Sequence, residues 1–269
     1  MSVFCCGDVH GTHDILKLRW FKAECGNGAY NLTKDDYVIV CGDFGLLWSN
    51  PFTLAWNEEE GKRTSGNLSD DNWSEKELKL LAWYNRCPWT TLFVDGNHEN
   101  FDRIDSYPVT KWHGGLVQKI SNSVIHLMRG EIYDIDGHTF FCMGGAMSTD
   151  RGTATGTEQE DIHSCWWPQE IPSIGEWNHA FENLEAHGNK VDFIITHDTP
   201  AEVSKLLGRF DRLSEVSQRL EVIRQTVDFK HWFCGHMHED KDFGKVHVLY
   251  KSMPVNVEDY GRFSWAENI

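Results

Sequence analysis

Five short clusters of acidic, histidine and asparagine side chains recur along this 269-residue chain. They read Gly7-Asp8-Val9-His10-Gly11, Gly42-Asp43, Gly96-Asn97-His98-Glu99, Thr196-His197-Asp198 and Gly235-His236-Met237-His238. Carboxylate and imidazole groups together favour Mn, Fe, Zn or Co over Ca or Mg. Because no thiolate lies within the clusters, a structural Cys-rich zinc site is disfavoured. The residue types therefore predict a transition-metal site.

The spacing within the clusters suggests how two ions could be shared. Asp8 and His10 are two residues apart, and His236 and His238 repeat that spacing, so a tight turn can direct each pair to one place. Asp43 is alone in its cluster and is the natural bridge between two ions. We expect the glycines that precede most of the clusters to permit sharp turns that a side chain would obstruct.

Each cluster follows a short apolar run, and such runs are typical of buried strands. These strands are predicted at residues 3–6, 37–41, 91–94, 191–196 and 231–234, and helices at 15–25 (after Thr12 as a cap candidate), 75–86, 176–187 and 213–227. Alternating strands and helices indicate an α/β sheet, whose ligand site lies beyond the carboxyl ends of the strands. Asp136-Gly137 predicts a hairpin within residues 131–144, and hence some antiparallel pairing.

Composition limits the classes of function. The net charge of −16, from 25 basic and 41 acidic residues, disfavours nucleic-acid backbones and anionic lipid surfaces, although bound metal ions can reverse the local potential. The N-terminus lacks a signal-peptide pattern and no apolar run is long enough to span a membrane, so we expect a cytoplasmic protein. Most of the cysteines lie in or beside short apolar runs, so we expect them to be free and packed in the core. We expect one domain over residues 1–269 with surface insertions at about 49–74 and 148–173.

The five clusters, in this order across residues 7–238, resemble the calcineurin-like metallophosphoesterase superfamily, whose pattern is D-x-H, G-D, G-N-H-E/D, H and G-H-x-H. The resemblance implies a four-layer α/β/β/α sandwich: two mixed sheets flanked by helices, with the metal site at the strand C-terminal ends. It implies two divalent metal ions, manganese first, with iron, zinc, cobalt or nickel as alternatives. One ion would be held by Asp8, His10, Asp43 and His238, and the other by Asp43, Asn97, His197 and His236.

The resemblance also implies a mechanism. The metals would hold the phosphoryl group, a hydroxide activated by them would attack in line, and His98 would stabilise charge and protonate the leaving oxygen. In the phosphoprotein-phosphatase branch G-D continues as x-x-D-R-G, whereas here Leu46-Leu47 replace Asp-Arg. Another group must therefore orient His98, and Arg103 or Arg151 is a candidate cation for phosphate.

The substrate is expected to be a small phosphorylated molecule, plausibly a nucleotide, cleaved as a monoester or diester. A protein phosphatase, a DNA nuclease and a noncatalytic scaffold are the alternatives, and the oligomeric state stays open. Glu99 is expected to support its turn rather than bind metal. For Trp48, Trp56 and Trp166 in or beside the insertions, base stacking and core packing are both open.

Overall fold

The computed structural model describes residues 1–48, 55–57, 62–64, 73–151, 166–210 and 213–260. The strands of these residues are β1 Val3–Cys6, β2 Tyr37–Cys41, β3 Ala55–Asn57, β4 Lys62–Thr64, β5 Thr90–Val94, β6 Val109–Trp112, β7 Gly115–Ser121, β8 Val124–Leu127, β9 Glu131–Ile135, β10 His138–Met143, β11 Phe193–Thr196, β12 His231–Cys234, β13 Lys241–Phe243, β14 Val246–Val248 and β15 Val255–Asn256. The helices are α1 Leu16–Gly26, α2 Glu75–Asn85, α3 Phe101–Ile104, α4 Ile174–Ala186, α5 Ala201–Leu206 and α6 Glu215–Thr226, and Pro168–Glu170 form a 3₁₀ turn.

The fold is built on two mixed β-sheets. The first has the order β15-β1-β2-β5-β8-β7-β6, with β1, β2, β5 and β8 parallel. The second has the order β13-β14-β12-β11-β10-β9, with β10, β11, β12 and β14 parallel. The short strands β3 and β4 pair with each other in the first predicted insertion. Since parallel strands end at the same edge, the loops that carry the polar clusters leave each sheet on one side.

Three apolar clusters separate the layers. Alternate residues of both sheets, among them Ile39 and Phe140, pack together in the middle. The opposite face of the first sheet is covered by α1 and α2, and that of the second by α4 and α6. This arrangement confirms the predicted sandwich of two mixed sheets flanked by helices. Among the described helices, none is both long and apolar enough to cross a bilayer.

Local signals set most element boundaries. The hairpin of β9 and β10 forms as predicted, with Asp136 and Gly137 at φ values of 55° and 78° in its turn. Helix α2 begins after Ser74 in a capping box, close to its predicted start. Helix α4 begins two residues before its predicted start, because Ser173 is its cap and Glu176 lies in its first turn. Most of both predicted insertions, including the side chain of Trp56, lies outside the described residues.

The predicted role of Thr12 as a helix cap is wrong. Ile15 occupies the N-cap of α1 and makes no side-chain capping bond. Residues 10–14 instead form a separate turn, in which the backbone N–H of Asp14 donates to the Val9 carbonyl at 2.9 Å. This turn brings the Asp14 carboxylate against the ring of His10, so the segment serves the polar cluster rather than the helix.

Candidate metal site

The clusters of both sheets converge at one edge of the sandwich. The loops after β1, β2 and β5 supply Asp8, His10, Asp43 and Asn97, and the loops after β11 and β12 supply His197, His236 and His238. Ligand-type atoms of Asp8, His10, Asp43 and His238 all lie within 4.8 Å of one another, and so do those of Asp43, His197 and His236. The Oδ1 atom of Asn97 is 3.1 Å from Nε2 of His197. All seven predicted ligands are thus brought together, with Asp43 common to both groups.

The two aspartates are anchored by backbone N–H groups from other loops. Oδ1 of Asp8 accepts a hydrogen bond from the N–H of His236 at 3.0 Å, and Oδ1 of Asp43 accepts one from the N–H of His98 at 2.8 Å. The second oxygen of Asp8 is buried without a hydrogen-bond donor, and it faces Nε2 of His238 at 3.2 Å. A buried carboxylate oxygen without a donor is costly unless a cation pairs with it, so the donor set fits a bound metal ion.

The imidazoles are oriented through contacts that leave one nitrogen facing the carboxylates. His10 contacts Asp14 Oδ2 through Nδ1 at 2.8 Å, and its Nε2 lies 3.1 Å from Asp43. His197 contacts the carbonyl of Cys41 through Nδ1 at 2.9 Å. Such bonds fix the tautomer and ring direction of metal-binding histidines. Asp14 is a supporting residue that the sequence analysis did not identify.

The electrostatics of the site favour positive charge. Burial alone would lower the pKa of His10, but hydrogen bonding and charge from Asp43 outweigh it and raise that pKa to about 9. The same competition between burial and Asp43 raises the pKa of His197 to about 10. For Asp43, burial opposes ionisation, yet His197 and His10 hold its pKa well below the ordinary value. The cluster therefore attracts a proton or a metal cation strongly.

Several of these residues lie in the left-handed region of backbone space. His10, Asp43, His236 and His238 have φ values of 47°, 46°, 63° and 54°. This conformation costs an L-residue about 1–2 kcal/mol, and glycine would adopt it more easily. Strain of this kind persists where surrounding contacts impose it, and it clusters at functional sites.

Further contacts hold the ligand loops from behind. Glu99 is fully buried and accepts hydrogen bonds from the N–H groups of Phe44 at 2.6 Å and Gly45 at 3.2 Å, so it supports the loop after Asp43. The ammonium of Lys17 donates to the carbonyls of Asp8 and Tyr250. Lys17 lies in α1 and carried no recognisable signal in the sequence, because both of its partners are backbone carbonyls.

His98 lies at the open side of the site. Its ring is 5.1 Å from that of His10, and its Nε2 is 3.5 Å from Oδ2 of Asp150. The same Asp150 oxygen is 3.5 Å from the amide nitrogen of Asn97. Asp150 therefore stands beside the predicted general acid, in a chain that lacks the Asp-Arg pair after Asp43. No motif marks Asp150, which lies at the start of the second predicted insertion.

The two arginines considered for phosphate binding have other contacts. The guanidinium of Arg103 donates to Oε1 of Glu77 at 2.7 Å and packs over the ring of Trp73. That of Arg151 lies over the ring of Trp166, 5.4 Å from its centroid. Arg103 is thus occupied by a buried carboxylate, and a phosphate role for Arg151 stays a prediction.

Comparison with known families supports the pattern of clusters. The family model described as calcineurin-like phosphoesterase matches residues 1–240, which includes every candidate ligand. Comparison with curated proteins gives no match.

Proposed function

The chain belongs to the calcineurin-like phosphoesterase family, and on that premise we propose that it hydrolyses a small phosphorylated substrate with two divalent metal ions. The observation that carries the proposal is the pair of ligand groups that share Asp43. Two groups with a common carboxylate are the donor arrangement that a pair of adjacent ions requires. Membership of the family by itself supports metal-dependent phosphoester hydrolysis. That two ions take part is our proposal.

We assign Asp8, His10, Asp43 and His238 to one ion, and Asp43, Asn97, His197 and His236 to the other. When bound, the ions would withdraw electron density from phosphoryl oxygens and lower the pKa of water. The mixed oxygen and nitrogen donors favour manganese first, with iron, zinc, cobalt or nickel as alternatives.

His98 is proposed to donate a proton to the leaving oxygen. Its side chain is 39% exposed, which leaves it accessible to substrate while its ring remains packed near His10. Because Nε2 faces Asp150, Nδ1 is the ring nitrogen left for the proton transfer. Asp150 would position the ring, replacing the aspartate that protein phosphatases carry after their G-D motif.

The two leucines that replace the Asp-Arg pair of protein phosphatases support a small-molecule esterase over a protein phosphatase. Leu46 and Leu47 are buried and pack in the core with Phe44 and Tyr84. Apolar side chains in this position cannot bind phosphate or orient an imidazole. A phosphopeptide panel assayed beside small esters tests the ordering, since a clear phosphopeptide preference would reverse it.

The central test combines metal analysis with turnover. Protein purified with Mn²⁺ should contain two ions per chain and hydrolyse aryl phosphate or bis-aryl phosphate esters. His98→Ala should keep the metal content and lose about 10²- to 10⁴-fold in kcat, the range for a general acid. His187→Ala, at an exposed position on the far end of α4, is the matched control. Bound ions without turnover of any ester would refute the proposal.

Metal binding also has a readout that does not need activity. A ligand that binds only the folded state at 100 times its Kd adds about 2.7 kcal/mol to the unfolding free energy. Mn²⁺ should therefore raise the Tm of the wild-type protein, and this rise should be lost in Asp43→Asn. An equal rise in both proteins would remove Asp43 from the ligand set.

A further inference from the structure

We propose that the ester carries a planar aromatic ring, such as a nucleobase or aryl group, which stacks on the indole of Trp48. The inference rests on the proposed function and narrows its substrate class to ring-bearing phosphoesters. Trp48 lies in a cavity of about 560 Å³ that is also lined by His10, His98 and His238. The phosphoryl group would lie at these imidazoles, and the organic group would extend along the cavity.

The cavity is larger than a phosphoryl group needs. Its volume falls within the range of roughly 300–1,000 Å³ that is usual for small-molecule sites. Beyond the imidazoles, its described lining includes Trp48, which is partly exposed, and Leu46 and Leu80, which are almost fully buried. Aromatic surface in a cavity of this size can bury the organic part of a ligand, while a few polar groups fix its orientation.

Trp48 is held firmly while its ring remains partly open. Its backbone N–H donates to Oε1 of Glu77 at 2.8 Å, and its carbonyl accepts from the amide of Asn100 at 3.4 Å. The ring packs edge-on against Trp167 with centroids 5.6 Å apart, and its centroid is 6.1 Å from that of His98. The residue is nevertheless 37% exposed. A fixed, partly exposed indole beside the predicted general acid is suited to stacking a planar group.

The charges around the cavity suit an anionic ester. Lys76 is the one lysine or arginine among the described residues that line it. The two lining carboxylates are engaged elsewhere: Asp14 contacts His10, and Glu77 is paired with Arg103. In a chain with a net charge of −16, this local balance removes part of the repulsion that a phosphorylated ligand would meet.

The test compares two substrates that differ at C1′ of the sugar, where one carries an aromatic base and the other a hydroxyl group. Adenosine 5′-monophosphate and ribose 5-phosphate have the same phosphate and the same leaving oxygen, so the ratio of their kcat/KM values reports on the aromatic base. Stacking of one base corresponds to a preference of about 5- to 150-fold. Wild-type protein should show that preference, Trp48→Ala should lose it and Trp48→Phe should retain most of it. Trp20→Ala, which removes an exposed indole from α1 outside the cavity, should leave the ratio unchanged.

Benzyl phosphate and cyclohexylmethyl phosphate, whose leaving alcohols have similar acidity, extend the comparison to aryl groups. A preference for benzyl over cyclohexylmethyl phosphate, without one for the nucleotide over ribose 5-phosphate, would assign an aryl-bearing ester, and the reverse would assign a nucleoside phosphate. Equal kcat/KM for esters with and without the aromatic ring in the wild-type protein would overturn the inference while leaving the hydrolase proposal intact. A ratio that survives Trp48→Ala would overturn the assignment of the indole.

Calorimetric binding to the metal-loaded His98→Ala variant provides a second readout. The same ring preference should appear in Kd, and Trp48→Ala in this background should remove it. If no ester is hydrolysed, the hydrolase proposal fails, whereas this binding comparison still decides whether a ring is recognised. Equal affinity for the nucleotide and the sugar phosphate, or no measurable binding of either, would refute the inference.

Discussion

Arg129→Met should destabilise the protein strongly, because it leaves a buried carboxylate behind the metal site without its main partner. Asp95, the residue before Gly96-Asn97, accepts hydrogen bonds from Nε of Arg129 at 2.8 Å and also from its Nη2. Both side chains are less than a tenth exposed. The same guanidinium also reaches Glu176 and the carbonyl of Gln169.

The magnitude follows from which contacts remain. Removing one partner of a buried ion pair costs about 3–5 kcal/mol, because the other charge is left uncompensated. His126 still contacts Asp95 at 3.1 Å, so we expect the lower end, about 3 kcal/mol. Methionine fills similar space, which keeps the loss electrostatic rather than a cavity effect. At about 2–4 °C per kcal/mol for a chain near this size, the Tm should fall by about 6–12 °C.

Thermal and urea unfolding measure the loss, and Arg224→Met is the matched control. Arg224 pairs with Glu221 one helical turn away and is about one-third exposed, so its loss should cost no more than about 1 kcal/mol. Asp95→Asn combined with Arg129→Met should recover part of the stability, because the stranded charge is gone. If Arg129→Met costs no more than Arg224→Met, the buried pair does not carry the stability assigned to it.

The pH dependence of the unfolding free energy provides an independent test of the same buried ion pair. Burial would raise the pKa of Asp95, but Arg129 and His126 outweigh it and hold that pKa below its ordinary value. The ionised carboxylate therefore stabilises the fold above about pH 4, and this contribution is lost as pH falls through the lowered pKa. Without Arg129, Asp95 can protonate more easily, so the stability gap between variant and wild type should narrow on acidification. A gap that widens toward low pH would contradict the reasoning.

Three further predictions concern the site itself. Asp150→Asn should lower kcat by less than about tenfold, because the side chains of His98 and Asp150 are both 39% exposed and such a pair contributes less than about 1 kcal/mol. His98→Ala should lower kcat far more. Equal losses in the two variants would give Asp150 a larger part in the reaction. Gly96→Ala should abolish metal binding in calorimetric titrations, since its Cβ would lie 2.1 Å from a carboxylate oxygen of a candidate ligand, while Gly26→Ala, with open space around it, should retain it. In metal-free protein, His238→Gly should be more stable than His238→Ala by about 1 kcal/mol in urea unfolding, because only glycine relaxes at a φ of 54°; equal stabilities would show that the turn is unstrained.

The sequence predicted the framework of the site because each strand and its cluster are local. The strand at residues 37–41 forms as predicted, and the apolar run ends where the polar cluster begins. The same pattern predicted an α/β sheet, since parallel strands separated by helices can place their carboxyl ends together, whereas the two-sheet sandwich was implied by the family resemblance. The strands β6, β7 and β8 were not predicted. Of these, β6 lies at the edge of its sheet and is mostly exposed, which weakens its alternation.

Two of the supporting residues could not be predicted because their partners are remote in sequence. Asp150 reaches His98 from 52 positions away, and Arg129 reaches Asp95 from 34 positions away. Neither lies in a motif, and a solvated surface charge would have looked the same in the sequence. Asp95 and Arg129 follow the neighbouring strands β5 and β8 of the first sheet, whereas Asp150 follows β10 of the second sheet and meets His98 where the two sheets pack together.

The glycines before the ligands were predicted to permit sharp turns, and this reason holds for only one of the four. A sharp turn explains only Gly42, whose φ is 85°, among the four that lead their clusters. The other three have no left-handed φ, and an added Cβ at each would instead collide with another segment. At Gly235 it would lie 2.1 Å from Oδ1 of Asp8, and at Gly7 it would lie 1.9 Å from the carbonyl oxygen of Leu249. Gly7 and Gly235 are required because loops of the two sheets nest against one another, which is the packing that brings the candidate ligands of separate loops together.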